Sequence, residues 1–403
     1  MKLVEERAYW LAWSQVQGIG PTLMFRLKTH FGSLAVAWEA SVDALMDVDG
    51  IGLQTAQEIV NRRSPLNPAQ MLEQHSQQNP HFWTPADDAY PQLLLEIPDP
   101  PPILYYRGQV NLEENQGRVP AIAIVGTRSP SDYGKRWTRR ISTALAQAGV
   151  TVVSGLADGV DAEAHKSCLN AGGRTVAVIG TGVNIVYPWT NRAIAKEIVQ
   201  TGLILSEYPM GTKPDRTHFP RRNRIIAAFC RAVLVIEAPE RSGALITAHL
   251  ANDYHRDVYA LPGSLDNENS MGCLRLINTG AHMILSEAHL LETIGAIPQL
   301  AEETASGSSL TAQQSTQGQL SLMAQTSSTV RQSAPIQPPP IQPPPNLSPE
   351  LDCVFQAVTI DPRLLDTIVE ETAMPVGDVL AALVQLEMMG LVAQQPGMMY
   401  QKC

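Results

Sequence analysis

The chain has 403 residues, a formal net charge of −10 and five cysteines that form no CxxC pair. Its length allows two or three domains with at least one large buried core, and its acidic balance argues against a histone-like coat of positive charge, so any nucleic-acid site has to be a local basic patch. The cysteines predict neither a zinc ribbon nor a disulfide framework and fit a reducing compartment.

Residues 1 to 17 mix acidic with apolar side chains, so they lack the uninterrupted apolar core of a signal peptide. No later stretch reaches the length that a membrane-spanning helix needs. We therefore expect a soluble cytoplasmic protein that makes no membrane contact.

Residues 1 to 80 are expected to form a small helical domain, whose periodicity two GxG turns interrupt. The glycines of these turns are Gly18, Gly20, Gly50 and Gly52. Each turn follows a helical segment, which favours a helix-hairpin-helix turn that approaches a phosphate over a nucleotide-binding loop. A tight connection between packed helices explains the same pattern, so the four glycines are auxiliary candidates for DNA contact.

After residue 120, short β-branched apolar runs alternate with amphipathic helical stretches. The runs are AIAIVG at 121–126, TVVSG at 151–155, TVAVIG at 175–180, LILSEY at 203–208, AVLVIEA at 232–238, VYALPG at 258–263 and HMILS at 282–286. This alternation predicts a doubly wound, mostly parallel α/β sheet at residues 81 to 298. Such sheets bind ligands outside the carboxyl ends of their strands.

The remaining residues predict a linker and a third domain. Residues 299 to 347 are poor in large apolar side chains and end in two QPPP units, which is typical of a disordered Pro/Gln/Ser-rich linker. Residues 348 to 403 follow the order helix, helix, helix, hairpin, with the hairpin turning at Pro396 and Gly397. That order predicts a small winged helix.

Gly126, Thr127, Arg128 and Ser129 follow the first predicted strand and precede a helix. Backbone N–H groups at such a place, helped by the helix macrodipole, can hold an anion, and the side chains of Arg128 and Ser129 can add donors. A purely structural turn needs the glycine but not the arginine, which favours phosphate binding.

The densest positive charge of the chain lies between residues 213 and 231. Its basic residues are Lys213, Arg216, His218, Arg221, Arg222, Arg224 and Arg231. Phe219 stands among them, and an aromatic ring in a basic groove can stack on a base while guanidinium groups bind phosphates. A solvated helix face is the alternative interpretation, but the position of the run at a strand end favours a binding site.

Two further strand ends carry glycines in positions that could favour ligand binding. Ser242 and Gly243 precede a helix and can place donors around an anion. Gly180 and Gly182 imitate the start of a dinucleotide fingerprint, but Ile185 stands where its third glycine belongs. We therefore expect no nicotinamide cofactor, and no other cofactor is indicated.

Asp158, Asp161 and His165 are the candidate catalytic or metal-binding groups. Asp161 and His165 would share a helix face, but two ligands do not make a metal site. A helix cap at Asp161 and a packed or hydrogen-bonded His165 explain the same residues. No GxSxG elbow activates a serine either, so we expect no metal and no catalytic residue.

Together these motifs resemble the DprA family, also called Smf. The matching segments are IVGTRSPSDYG, VSGLADGVDAEAH, GGRTVAVIGTGVNIVYP, ILSEYPMG, HFPRRNRIIAAFCRAVLVIEAPERSGALITAHLA, ALPG and GCLRLINTGA. The resemblance implies an extended Rossmann-like fold, preceded by a SAM-like helical domain and followed in many members by a DML1-like winged helix.

The resemblance also implies a function. Members bind single-stranded DNA, and double-stranded DNA more weakly, and load a RecA-type recombinase onto the strand during natural transformation while single-strand-binding protein is displaced. They form homodimers through the Rossmann-like domain, and no enzymatic reaction is established for them.

The motifs of the family fall on three strand ends of this chain. The G-[ST]-R motif places its arginine on Arg128. The FPxRNR motif falls on Phe219, Pro220, Arg222, Asn223 and Arg224, with Arg221 at the variable position. The SG-x-L-[IT]-T motif falls on Ser242, Gly243, Leu245 and Thr247. The expected DNA-binding residues are therefore Gly126, Thr127, Arg128, Ser129, Lys213, His218, Phe219, Arg221, Arg222, Asn223, Arg224, Ser242, Gly243 and Thr247.

The predicted winged helix departs from a DNA-reading domain, because no basic residue lies between Arg363 and Lys402. We expect it to contact protein or merely to pack, and to contribute little to DNA affinity.

An enzyme is the alternative function. The glycine-rich strand ends also resemble nucleotide phosphoribohydrolases, which act on nucleoside monophosphates. Those enzymes carry a PGGxGT motif, and the nearest text here, ALPGSLDN, lacks it. A non-enzymatic binding protein is therefore the preferred hypothesis.

Overall fold

A computed structural model describes residues 2–295, 348–359, 363–372, 374–389, 391–395 and 399–402. They belong to two compact units, one within residues 1–307 and the other within residues 308–403. The expected linker at 299–347 and the expected turn at Pro396 and Gly397 lie outside the described residues. The domain boundaries drawn from the sequence stay predictions.

Helices open the first unit. They are α1 (Lys2–Ser14), α2 (Pro21–Phe31), α3 (Leu34–Glu39), α4 (Val42–Met46), α5 (Leu53–Arg63) and α6 (Pro68–Gln78). Their shared core contains Trp13, which is fully buried, donates from Nε1 to the carbonyl of Leu34 at 3.1 Å and meets the Trp38 ring edge-on. This packing joins α1 to α3 and stabilises helices that are too short to be stable alone.

The two GxG turns have the same construction. Gly18 and Gly50 have φ angles of +92° and +88°, which strain any residue with a Cβ atom. Gly20 and Gly52 are the N-caps of α2 and α5. The predicted pair of helix-hairpin-helix turns is therefore confirmed.

Within residues 2–295, nine strands form one sheet. They are β1 (Phe82–Trp83), β2 (Leu104–Gly108), β3 (Ala121–Val125), β4 (Thr151–Ser154), β5 (Thr175–Ile179), β6 (Leu203–Ser206), β7 (Ala232–Val235), β8 (Asp257–Ala260) and β9 (His282–Met283). The order is β1-β2-β6-β5-β4-β3-β7-β8-β9, and all neighbours from β6 to β9 in this order are parallel. The predicted strands are β3 to β9 and are confirmed.

The antiparallel edge of the sheet was not predicted. β2 pairs antiparallel with β6, and β1 with β2. β1 has only two residues, and the proline-rich segment before Leu104 hides the pattern of β2. Helix α1 packs on this edge through Leu11, and Arg7 donates to the Phe82 carbonyl at 2.9 Å.

Helices cover both faces of the sheet. They are α7 (Leu112–Asn115), α8 (Asp132–Gln147), α9 (Val160–Asn170), α10 (Arg192–Thr201), α11 (His218–Phe229), α12 (Gly243–Asp253), α13 (Glu268–Asn278) and α14 (Glu287–Gly295). In β5, Val176 and Val178 pack towards α11 to α13, whereas Ala177 and Ile179 pack towards α10. This alternation explains why the strands are apolar on both faces.

The sheet has a crevice at β3. From this strand the chain proceeds through β4, β5 and β6 on one side, and then returns to β7, β8 and β9 on the other. The carboxyl ends of β3 and β7 therefore flank the switch point at which doubly wound sheets bind their ligands.

The second unit is a winged helix. Its elements are α15 (Pro349–Ala357), β10 (Arg363–Leu364), α16 (Leu365–Thr372), α17 (Val376–Met388), β11 (Val392–Gln395) and β12 (Met399–Lys402). The strands pair in the order β10-β12-β11. Val354, Ile368, Leu383 and Leu386 form the buried core. The predicted order of elements is confirmed, with β10 as an unpredicted addition.

None of the helices in the described part of the chain has the length and apolar character that a bilayer crossing requires.

A buried ion pair joins elements at the amino ends of the parallel strands. Glu114 of α7 has a fully buried carboxylate, and Arg174 donates to both of its oxygens at 2.9 and 3.0 Å. Thr151 adds a hydroxyl donor at 2.6 Å, and Arg174 also donates to the carbonyls of Thr201 and Gln109. Because every charge has several partners, removal of the carboxylate leaves a poorly solvated cation.

We predict that Glu114→Ala lowers the free energy of unfolding by about 3 kcal/mol, as measured by urea denaturation. The matched control is Glu163→Ala, which removes the carboxylate from a pair whose arginine, Arg139, is 58% exposed. That control should cost less than about 1 kcal/mol. Equal losses in the two variants would contradict the assignment of Glu114 to a structural network.

Candidate nucleic-acid interface

A cleft of about 710 Å³ lies at the crevice of the sheet. Its walls are the loop after β3, the segment before α10, the first turns of α11 and the N-terminus of α12. The predicted site residues that line it are Gly126, Thr127, Arg128, Phe219, Arg222, Asn223, Ser242, Gly243 and Thr247. The fold therefore brings residues from all three predicted motifs into one cavity.

The cleft is strongly basic although the chain is acidic. Its described lining contains Arg128, Arg216, Arg222 and Arg241, with Asp161 as the single acid. Arg128, Arg216 and Arg241 are exposed, and none of them has an ion-pair partner in the part of the chain that the structure describes. These three guanidinium groups remain available to an anionic ligand.

Arg222 forms the floor of the cleft. It is 5% exposed and donates from Nη1 to the carbonyl of Gly155 at 2.6 Å and to that of Val178. Burial lowers the pKa of Arg222 to about 10, so the side chain stays charged at neutral pH. A Cβ atom on Gly155 would lie 2.4 Å from Nη1, which explains the glycine at the end of β4.

Asp161 lies beside this arginine but is not the helix cap that the sequence suggested. The N-cap of α9 is Gly159, and the Asp161 carboxylate instead accepts N–H groups from Gly155 at 3.0 Å and Ala157 at 3.3 Å. Burial raises the pKa of Asp161, whereas the charge of Arg222 lowers it. The carboxylate therefore fixes the loop after β4 and partly compensates the buried cation.

Two aromatic rings stand in the same cleft. Phe219 packs over Gly180, where an added Cβ atom would lie 3.1 Å from its ring. The Tyr187 ring, 46% exposed, stacks on Phe219 with a centroid distance of 5.6 Å and an interplanar angle of 29°. An aromatic stack beside free guanidinium groups suits a nucleobase together with its phosphate.

The N-terminus of α12 forms the opposite wall. Ser242 is the N-cap and accepts the N–H of Ala244, and the amide of Asn223 donates to the Gly243 carbonyl at 3.3 Å. Thr247 lies one turn further along and is buried. The hydrogen bond of Asn223 ties α11 to α12 and so sets the width of the cleft.

The anion site expected at the N-terminus of α8 is occupied by a carboxylate of the protein. Glu237, 1% exposed, accepts the backbone N–H of Ser131 at 2.8 Å and its hydroxyl at 2.5 Å. The Glu237 carbonyl also accepts the N–H of Thr127 at 2.7 Å. Because Glu237 uses these donors, fewer backbone N–H groups remain for a ligand than the sequence suggested, and the exposed donor of the β3 loop is the side chain of Arg128.

Five predicted site residues lie outside the lining of this cleft, and these are Ser129, Lys213, His218, Arg221 and Arg224. Ser129 lines an adjoining pocket with Arg128, and Lys213 is exposed. His218 stacks on Tyr208 at 3.8 Å and donates from Nδ1 to the Gly180 carbonyl at 3.0 Å. These contacts give His218 a structural role.

Arg221 and Arg224 are both paired with Glu207. Arg221 lies 3.3 Å from this carboxylate and lines a different groove. Arg224 is 4% exposed, forms an ion pair with Glu207 and lies 3.1 Å from Asp99. The charge of Arg224 is therefore compensated within the protein, which argues against a direct phosphate contact, and its role in DNA binding stays a prediction.

The structure adds Tyr187, Arg216 and Arg241 to the predicted site. Arg216 belongs to the basic run that the sequence singled out, but the family motifs do not include it. Arg241 follows β7 and is preceded by Glu240, whose opposite charge makes Arg241 inconspicuous in the sequence. In the structure Glu240 pairs with Arg275 at 3.2 Å and leaves Arg241 unpaired among the described residues. Tyr187 lies in the matching segment GGRTVAVIGTGVNIVYP, but none of the three binding motifs includes it.

The candidate catalytic groups are engaged in structural contacts. His165 is fully buried, its Nδ1 lies 2.7 Å from the Thr175 hydroxyl, and burial lowers its pKa to about 3. The Asp158 carboxylate accepts the hydroxyl of Thr190 at 2.8 Å. In the described residues no group of three or more His, Cys, Asp or Glu side chains is placed to hold a metal ion.

The two helix-hairpin-helix turns differ in charge. Asp47 and Asp49 flank the second turn, and Asp49 pairs with Arg26 at 2.9 Å. The first turn, from Gln17 to Gly20, contains no acid. The turn at Gly18 and Gly20 therefore has the less acidic surroundings, and all four glycines stay auxiliary candidates for DNA contact.

Comparisons with known proteins match this chain along most of its length. The model of the family described as DNA recombination-mediator protein A matches residues 81–295. Models described as a SAM-like helix-hairpin-helix tandem and a DprA winged helix domain match residues 14–63 and 337–398.

Two curated relatives and one solved structure illustrate the similarity. Protein Smf of Synechocystis is 52% identical over 398 residues, which are 98% of this chain and 99% of the relative. DNA processing protein DprA of Streptococcus pneumoniae is 43% identical over 205 residues, 51% of this chain and 71% of the relative. The X-ray structure of the pneumococcal DprA gives a TM-score of 0.57 at 35% identity and covers 68% of this chain and 98% of that one. The chain therefore belongs to the DNA recombination-mediator protein A family, whose members carry the names DprA and Smf.

Proposed function

We propose that the cleft binds single-stranded DNA with little dependence on sequence. The observation that carries the proposal is the set of three exposed, unpaired arginines, Arg128, Arg216 and Arg241, around the stacked rings of Phe219 and Tyr187. The guanidinium groups would take phosphates, and a base would extend the aromatic stack.

The geometry favours an unpaired strand over a duplex. A base can stack on Phe219 or Tyr187 only when its face is free, and the bases of a duplex are already stacked on each other. Double-stranded DNA can still contact the arginines through its phosphates, which gives weaker and purely electrostatic binding.

Membership of the family supports a finer proposal. The bound strand would be handed to a RecA-type recombinase, with displacement of single-strand-binding protein, during natural transformation or another form of homologous recombination. A cytoplasmic homodimer is part of the same proposal. The description of the family as a recombination mediator, together with the DNA processing proteins among the relatives, supports these assignments.

The burial of Asp161 and His165 fits a binding protein better than an enzyme. Asp161 and His165 are both buried and make internal hydrogen bonds. General acid–base catalysis requires a titratable group that reaches the substrate and has a pKa near the working pH. The pKa of His165 is lowered to about 3 by burial. We therefore propose that the cleft retains DNA without altering it.

We predict that Arg128→Ala and Arg216→Ala each weaken binding of an oligodeoxythymidylate by about 1–3 kcal/mol. Each lost phosphate contact on a single strand should also flatten the slope of log K against log salt by about 0.7. Fluorescence anisotropy at several salt concentrations measures both quantities. Arg140→Ala is the control, since its ion pair with Glu287 lies outside the cleft. Unchanged affinity and slope in the two cleft variants would remove them from the site.

Phe219→Leu should weaken single-strand binding by about 1–3 kcal/mol, because a base loses its stacking surface. Duplex binding, which uses phosphates alone, should stay within twofold of the wild type. Phe219→Tyr keeps the ring and should behave like the wild type. Equal losses on single-stranded and double-stranded DNA would show that the ring does not select unpaired bases.

The recombinase proposal predicts a gain of rate. The wild-type protein should accelerate assembly of a RecA-type recombinase on DNA that single-strand-binding protein already covers, as followed by ATP hydrolysis of the recombinase. The double variant Arg128→Ala/Arg216→Ala should lose this acceleration, and Arg140→Ala should keep it. An acceleration that survives in the double variant would separate the recombinase activity from the cleft.

A further inference from the structure

A second basic groove runs beside α10 and is called the α10 groove below. Its volume is about 420 Å³, and Arg107 of β2 lines it together with Arg192 and Lys196 of α10. Its other walls are mostly apolar, as at Val199 and Ile204, and none of the described residues that line it is acidic. The groove therefore combines positive charge with an apolar floor.

The cations of the α10 groove are not neutralised by ion pairs within the described part of the first unit. Arg107, Arg192 and Lys196 are exposed, and none has an ion-pair partner among residues 2–295. Arg192 and Lys196 stand one helical turn apart, about 6 Å along the axis. Like charges at this spacing destabilise a helix slightly, and a bound anion would relieve this repulsion.

An exposed tryptophan contacts one of the cations that line the groove. Trp189 is 69% exposed, and the guanidinium of Arg192 lies over its ring at 4.4 Å. A tryptophan that is both solvent-exposed and held under a cation offers a flat surface for a further aromatic group. Exposure of such a large apolar side chain is typical of a contact surface.

The α10 groove and the cleft share one wall. Tyr187 lines the cleft, and the adjacent Val186 lines the groove. Trp189 and Arg192 follow within the same segment. The segment from Val186 to Arg192 therefore connects the cleft to the α10 groove along the chain.

We propose that the α10 groove binds the continuation of the same DNA strand, with a base on Trp189 and phosphates on Arg192, Lys196 and Arg107. The proposal rests on the proposed function of the cleft and deepens it. The alternation of aromatic and basic side chains along a shared wall favours a single strand over an acidic peptide, which has no need for exposed rings.

The test compares two oligodeoxythymidylates, of roughly 4 and roughly 16 nucleotides, which are the limits of common single-strand site sizes. The double variant Arg107→Ala/Lys196→Ala should bind the short oligonucleotide as the wild type does and the long one at least tenfold more weakly. The salt slope for the long oligonucleotide should flatten by about 1.4, since two contacts at about 0.7 each are lost. Lys196→Arg with Arg107→Lys keeps the charges and should restore long-strand affinity.

Trp189 gives an independent readout on the same DNA. Trp189→Leu should weaken binding of the long oligonucleotide only, whereas Trp189→Phe, which keeps a ring, should retain most of the affinity. Quenching of tryptophan fluorescence by the long oligonucleotide should be smaller in Trp189→Phe than in the wild type, and quenching by the short one should be the same in both.

The outcomes separate the two proposals. A wild-type protein that binds neither oligonucleotide in a salt-dependent way would overturn the proposed function of the cleft. If the wild type binds the short oligonucleotide normally but the groove variants lose the same affinity for both lengths, the proposal for the α10 groove alone is overturned. Unchanged DNA binding with lost recombinase binding would assign the groove to a protein partner and overturn the proposal as well.

Discussion

The buried guanidinium of Arg222 is the interaction on which the geometry of the cleft depends. A cation at 5% exposure would be strongly destabilising without partners, and the carbonyls of Gly155 and Val178 provide them at the carboxyl ends of β4 and β5. Because Arg222 belongs to α11, these bonds hold the first turns of that helix against the strand ends. The position of Phe219 follows from the same bonds.

Two kinds of arginine occur in and beside the cleft, and they differ in burial and in charge compensation. Arg222 and Arg224 are buried and compensated, so they fix α11 between the sheet and Glu207. Arg128 and Arg216 are exposed and have no internal partner. A net charge of −10 is compatible with an anion-binding cleft because nearly all acidic residues lie outside it. Asp161 is the only acid in the described lining, and it lies beside Arg222.

Much of the fold could be predicted from the sequence because periodicity is a local property. The apolar runs of β3 to β9 and the order of elements in the winged helix were correctly predicted. β1 has only two residues, and the proline-rich segment before Leu104 hides the period of β2. The motifs of the site were predicted from the sequence, but which of their arginines are exposed and which are buried was not. Sequence could not distinguish Arg224 from Arg216, since the difference lies in Glu207 and Asp99, which only the tertiary structure brings to Arg224.

The carboxylate of Glu237 at the start of α8 has a consequence for competition inside a cell. Doubly wound sheets that bind mononucleotides commonly hold a phosphate on backbone N–H groups at this helix end, and here an internal acid uses the donors of Ser131. A ligand must then rely on separate side chains, each of which contributes modestly, so affinity accumulates only along a polymer with many linked phosphates. Under the proposed function, the cleft would therefore ignore free nucleotides and metabolites, however abundant, and remain open for a strand.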